Sequence, residues 1–215
     1  MLLLCSRQAG KSLSAAALAL REALLTPDSL VLLLSPTQRQ SGELFRAKVK
    51  RLYGALGRPV PVVQESALTM ELANGSRIIS LPGEEGTIRG YSDVDLLVID
   101  EASRVPDDLY RAVRPMLAVS RGRLVCLSTP FGQRGWFHDE WERGEGWERT
   151  RITALQCPRI SQEFLREEER SLGQRWFSQE YLCSFEEAVD AVFSAGDIQA
   201  ALSDTIPPLF AGDLP

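Results

Sequence analysis

Apolar residues in this chain fall into short blocks separated by Gly, Pro and hydroxyl residues, and the blocks follow two periodicities. Residues 1–4, 30–34, 96–99 and 123–127 are short, nearly continuous apolar runs, the pattern of strands buried on both faces of a parallel sheet. Residues 13–25, rich in Ala and Leu, read as a helix, as do residues 38–56 and 106–117. Residues 67–81 alternate around Asn74-Gly75, a strong short-range hairpin signal. Leu68, Met70 and Leu72 would share one side, with Ile78 or Ile79 and Leu81 answering across the turn. Pro82 to Gly90 is a Gly-rich loop. Strands alternating with helices predict an α/β fold with a mostly parallel central sheet flanked by helices.

The character changes beyond residue 131. Trp136, Phe137, Trp141 and Trp147 stand among charges and read either as a stacking surface or as a small local core. Residues 161–187 read as helical, with Phe164, Leu165, Leu172, Trp176, Phe177 and Tyr181 at near-helical spacing. The predicted organisation is a core over residues 1–130, a small helical lid over 131–190 and a linker over 191–215, where Pro207-Pro208 and Gly212 occur.

Between the first strand and the first helix lies Cys5-Ser6-Arg7-Gln8-Ala9-Gly10-Lys11-Ser12. This is the P-loop pattern G-x-x-x-x-G-K-[ST] with Cys5 at the first glycine. A strand–loop–helix unit aims backbone N–H groups and the positive helix end at an anion. Ser6 to Ser12 would cradle phosphate, Lys11 would reach the outer phosphates and Ser12 would hold Mg2+. A pattern with one replaced glycine also arises by chance, so the reading depends on a second motif. The strand at 96–99 supplies it by ending in Asp100-Glu101. Ligands of open α/β sheets bind at such strand ends. Asp100 suits the Mg2+ shell, and Glu101 suits a general base acting on water. The strand at 123–127 runs into Ser128-Thr129-Pro130, which is either a turn or a sensor of the terminal phosphate.

These residues resemble the ATPase domain of the terminase large subunit of tailed bacteriophages, the motor that packages DNA into capsids. Ser6 to Ser12 resembles the family's Arg-containing Walker A. Ser35-Pro36-Thr37-Gln38 resembles its second-strand motif. Thr87-Ile88-Arg89-Gly90-Tyr91-Ser92 followed by Leu96 to Ala102 resembles its Arg-Gly segment and Walker B. Ser128-Thr129-Pro130 resembles its coupling motif, and Gln179 to Phe185 its closing segment. The resemblance implies an additional-strand, catalytic-glutamate P-loop ATPase that uses ATP and Mg2+. It further implies that Arg7 contacts phosphate within its own subunit and that Arg89 enters a neighbour's site as an arginine finger. From the residues alone, a surface ion pair of Arg89 with Asp93 or Asp95 is the favoured reading. The implied partners are double-stranded DNA, further copies of the chain in a ring, a portal protein and a small terminase subunit, all in the host bacterial cytoplasm. The family's adenine-binding segment and nuclease carboxylates find no counterpart in the sequence, so an isolated, monomeric domain without nuclease activity is expected.

Composition narrows this only slightly. A net charge of -5 over 215 residues argues against a broadly basic nucleic-acid module. Arg46, Lys48, Lys50 and Arg51 form either a local DNA patch or a solvated helix face. The cysteines Cys5, Cys126, Cys157 and Cys183 are widely spaced and His138 is the single histidine, so no zinc site is expected. No signal peptide or membrane span is evident. A helicase-like P-loop enzyme and a non-catalytic remnant acting only in assembly remain open on the sequence.

Overall fold

The computed structural model describes residues 1–83, 88, 90–187 and 200–201. Eight strands form a single sheet in the order β3-β4-β5-β2-β6-β7-β1-β8. They are β1 (Leu2–Cys5), β2 (Leu30–Ser35), β3 (Val62–Glu65), β4 (Thr69–Leu72), β5 (Arg77–Pro82), β6 (Leu96–Asp100), β7 (Arg123–Ser128) and β8 (Arg149–Ile152). The run from β5 to β8 is parallel, and β3, β4 and β5 form an antiparallel margin. Successive residues of the central strands face opposite cores. Leu30, Leu32 and Leu34 join one cluster with Leu2, Leu4, Leu97 and Ile99. Val31 and Leu33 join the other with Val98 and Leu127. This is why the central strands read as continuous apolar runs.

Helix α1 (Lys11–Leu25) lies on the second face. Its Ala15, Ala16, Ala19 and Ala23 are buried with Leu20, so small side chains line the surface that meets the sheet. The segment after β2 is α-helical at α2 (Gln38–Glu43) and α3 (Arg51–Ala55), but Leu44–Lys50 between them is wound as a π-helix. Phe45, Val49 and Tyr53 bury into the same cluster as α1. Helix α4 (Asp107–Val113) passes into a 3-10 turn at Arg114–Leu117 and covers the first face.

The hairpin turns at Asn74-Gly75 as expected, and the register decides between its two isoleucines. Met70 pairs with Ile78, and both enter the α1 cluster, whereas Ile79 and Leu81 enter the other. Leu81 is therefore not on the side of Met70 and Leu72.

The segment expected to be a lid is more closely tied to the core than its composition suggests. Its residues Arg149–Ile152 form β8, which pairs with β1 inside the main sheet. Helix α5 (Gly135–Glu142) sends Trp136 and Phe137 into the first core cluster. The Trp136 ring stacks on Tyr110 at 3.8 Å and its Nε1 donates to Val105 O at 2.8 Å. Trp147 Nε1 donates to Glu140 Oε2 at 2.7 Å. The local-core alternative therefore holds for these two tryptophans. Among the described residues, α6 (Gln162–Leu172) and α7 (Gln174–Leu182) form a separate small cluster, in which Leu165, Phe177 and Tyr181 join Ala154. They are two helices, not one, because Gly173 between them sits at φ 78. The expected linker over 191–215 lies outside the described residues apart from 200–201. No helix among the described residues is long and apolar enough to cross a membrane.

The small-residue face of α1 yields a stability test. Ala19 is fully buried and Ala17 is exposed on the same helix. Ala19→Leu should lower unfolding free energy by about 1–3 kcal/mol through overpacking. Ala17→Leu should stay within about 0.5 kcal/mol of the parent. Urea denaturation of the two variants checks this, and equal midpoints would contradict the packing described.

Candidate active site

The C-terminal ends of β1, β7 and β6 lie side by side, and each passes into a segment carrying polar residues. After β1 the chain enters the loop at Ser6–Gly10 and turns into α1. Gly10 is the residue before the helix and adopts φ 94, a conformation a side chain would resist. Ser12, in the first turn of α1, donates its hydroxyl to Asp100 Oδ2 at 2.8 Å. This bond joins the P-loop half to the β6 half across the intervening β7. Lys11 is buried beside them. Its Nζ lies 3.3 Å from Ser6 O and 4.0 Å from Glu101 Oε1.

Glu101 has left-handed backbone, φ 52 and ψ 43, which is uncommon outside glycine and concentrates at functional sites. The turn ends β6 and leaves Glu101 lining the cleft. Burial raises the affinity of both carboxyls for protons. For Asp100, the Ser12 hydroxyl, Lys11 and the Glu101 N–H oppose the effect of burial. For Glu101, Lys11 opposes burial and the neighbouring Asp100 reinforces it. A buried acid, Asp100, and a half-buried one, Glu101, beside a hydroxyl form a hard oxygen donor set that a divalent cation would relieve. Mg2+ is commonly held by one or two carboxylates together with substrate phosphates, so Ser12 and Asp100 fit it. No group of three or more His, Cys, Asp or Glu among the described residues forms a closed metal site.

A cleft of about 430 Å3 opens over the loop. Of the residues expected to contact nucleotide, Arg7, Gln8, Gly10, Lys11 and Ser12 line it, together with Glu101. Ser6 and Ala9 do not. Ser6 is fully buried, and its N–H donates to Ile152 O at 2.9 Å. Ser128 and Thr129 are also buried and are not in its lining. The Ser128 hydroxyl is engaged by Ser103, with Oγ atoms 2.6 Å apart and the Ser103 N–H 3.1 Å away. Ser103 Oγ also donates to Thr129 O at 2.8 Å. β7 is thereby tied to the turn that follows Glu101.

The Arg7 side chain pairs with Glu180 on α7 at 2.5 Å, and the Arg7 N–H donates to Glu180 O at 3.0 Å. Glu180 is buried. Only the resemblance of the closing segment singled it out. Thr87 and Arg89 lie outside the described residues. Asp95, one proposed partner for Arg89, accepts the N–H of Leu30 at 2.8 Å.

Sequence reasoning missed Arg159 and did not link Lys48 to the cleft. Both line the cleft. The four basic residues read as either a DNA patch or a solvated helix face have separate surroundings in the structure. Arg46 Nε donates to Gly42 O at 3.3 Å, and Lys50 pairs with Glu65 and donates to Ser66 O at 3.1 Å. Spacing along the chain carried no signal for Arg159, whose position depends on the β8 pairing.

This arrangement, a P-loop and an acidic strand end converging at the head of a parallel sheet, defines an α/β fold of the P-loop NTPase type. A family model described as "Terminase large subunit, T4likevirus-type, N-terminal" matches residues 2–200, and the chain belongs to that family. The terminase large subunit of Thermus phage G20c is 28% identical over 151 residues, covering 62% of this chain and 31% of the relative. The chain thus spans about a third of that relative's length. The large terminase ATPase domain of Thermus phage P74-26 superposes with a TM-score of 0.72 at 22% identity, covering 86% of this chain and 87% of that one. The large terminase of a second thermophilic bacteriophage, solved in complex with ATP-gamma-S, superposes with a TM-score of 0.69 at 14% identity, covering 86% and 47%.

The four cysteines are free and buried. Burial pushes the Cys5 thiol up to about 11, against the opposing pull of Lys11, and Cys183 up to about 12. Thiolates carry the reactivity, so iodoacetamide at pH 8 should leave Cys5 and Cys183 unlabelled in the folded protein and label both in denaturant. Mass spectrometry reads the outcome, and rapid labelling of folded Cys5 would contradict its burial.

Proposed function

We propose that this domain hydrolyses ATP in a Mg2+-dependent reaction and acts as the motor part of a DNA-packaging terminase. The observation that carries the reading is the Ser12–Asp100 hydrogen bond at 2.8 Å, with Lys11 and Glu101 beside it. Family membership and the structural relative solved with ATP-gamma-S support it. Ser12 and Asp100 would hold Mg2+, which when bound neutralises charge on the phosphate oxygens. The Gly10–Lys11 turn binds the phosphate tail at the positive end of α1. Lys11 stabilises the charge that develops on the transferred phosphoryl group.

Glu101 orients a water toward the terminal phosphorus and accepts its proton as the new P–O bond forms. The bond to the bridging oxygen breaks, and ADP and phosphate leave. Burial of Glu101 increases its proton affinity and suits it to this role. Arg7 would exchange Glu180 for phosphate, so that nucleotide state reaches α6 and α7, the lid elements of residues 131–190. Arg89 would complete a neighbour's site in an oligomeric ring around double-stranded DNA. Portal protein, small terminase subunit and the host bacterial cytoplasm follow from the same reading, and nuclease activity is assigned to none of these residues.

The test is steady-state ATP hydrolysis with Mg2+ across protein concentration, with and without double-stranded DNA. Glu101→Gln should lower turnover by more than about 100-fold while nucleotide affinity stays within a few-fold. Arg89→Ala should remove any rise of specific activity with protein concentration. Wild-type turnover in Glu101→Gln would overturn the base assignment. A folded wild-type domain that binds no ATP would overturn the ATPase reading and favour an assembly-only role.

A further inference from the structure

Two cations at the cleft have no part in the chemistry above. Lys48 comes from the π-wound segment Leu44–Lys50, and Arg159 from the segment between β8 and α6. Both line the cleft that contains Lys11, Ser12 and Glu101. Neither is ion-paired among the described residues, whereas the neighbouring Lys50 is held by Glu65. Arg159 is close to the loop itself. One of its Nη atoms lies 3.3 Å from where a Cβ on Gly10 would sit.

The cleft lining therefore brings four cations, Arg7, Lys11, Lys48 and Arg159, to face one carboxylate, Glu101. Among the described residues that line it, Leu13 is the one apolar side chain and none is aromatic. That composition fits a polyanion better than it fits a base. A π-helical turn is itself rare and recurs at functional sites. Here it sets a lysine at the cleft while Phe45 and Val49 of the same turn remain in the core.

We propose that Lys48 and Arg159 are nucleotide-contacting residues that clamp the phosphate tail within the same subunit, beyond the reach of the P-loop. The proposal rests on the nucleotide reading of the cleft. Arg159 supplies a planar fork to phosphate oxygens and Lys48 a point charge. Lys48 accordingly belongs to the nucleotide site and not to a DNA-binding patch.

The experiment is calorimetric titration of the 215-residue chain with ATP and, separately, with inorganic tripolyphosphate, both with Mg2+. The variants are Lys48→Gln, Arg159→Gln, Arg159→Lys and Lys11→Ala, each checked by thermal melting. Lys48→Gln and Arg159→Gln should each weaken both ligands by about tenfold and by similar factors. Arg159→Lys should recover part of the loss, and melting temperatures without ligand should match the wild type. Unchanged affinity for both ligands would overturn the clamp. So would weakened ATP binding with unchanged tripolyphosphate binding, because the contact would then be to base or ribose. Failure of the wild type to bind either ligand, or wild-type affinity in Lys11→Ala, would overturn the nucleotide reading and the clamp with it.

Discussion

The hydrogen bond from Ser12 Oγ to Asp100 Oδ2 is the point at which two distant parts of the chain become one site. Ser12 stands in the first turn of α1, and Asp100 ends β6, with β7 between β6 and β1. Holding them in register requires the full parallel run of β1, β7, β6 and β2. Holding α1 against that sheet requires the small side chains of Ala15, Ala16, Ala19 and Ala23. The fold is organised so that the buried Asp100, the half-buried Glu101, a hydroxyl and a lysine share one corner. Burial alone would disfavour the charged carboxylates. At Asp100, the Ser12 hydroxyl, Lys11 and the N–H of Glu101 oppose it.

That corner connects outward by polar contacts. From Glu101 the 3-10 turn Ala102–Arg104 brings Ser103 onto Ser128 and Thr129 at the end of β7. From Arg7 the ion pair and backbone bond to Glu180 reach α7. Both contacts attach a residue beside the cleft to an element outside it, so a change at either would be felt beyond the site. This is the arrangement a hydrolysis cycle needs if it is to move anything.

Much of this was legible in the sequence, for identifiable reasons. Residues 30–34 and 96–99 had to be strands because unbroken apolar runs this short suit a sheet covered on both faces. The P-loop was legible because Gly10, Lys11 and Ser12 keep the motif although Cys5 replaces a glycine. Asn74-Gly75 located the hairpin, but its register came only from pairing Met70 with Ile78. Strand β8 escaped because Arg-Thr-Arg-Ile carries little apolar signal. It lies at the edge of the sheet, where charged side chains are common, and Arg149 instead caps Trp141 O and Glu140 O at 2.8 Å each. The place of Lys48 depends on π winding within a segment that reads as ordinary helix. Arg159 reaches Gly10 only through tertiary structure, which no local pattern announces. Ser128, read as part of a turn or as a phosphate sensor, has its hydroxyl engaged by Ser103, a tertiary contact the sequence does not announce.

The central claim is that Ser12 and Asp100 together form the metal-dependent part of a nucleotide site. The most direct measurement compares ATP affinity with and without Mg2+ in the wild type and in Asp100→Asn. The account predicts that Mg2+ strengthens ATP binding to the wild type and that this gain disappears in Asp100→Asn, with both proteins equally folded. An equal Mg2+ dependence in the two proteins would contradict it.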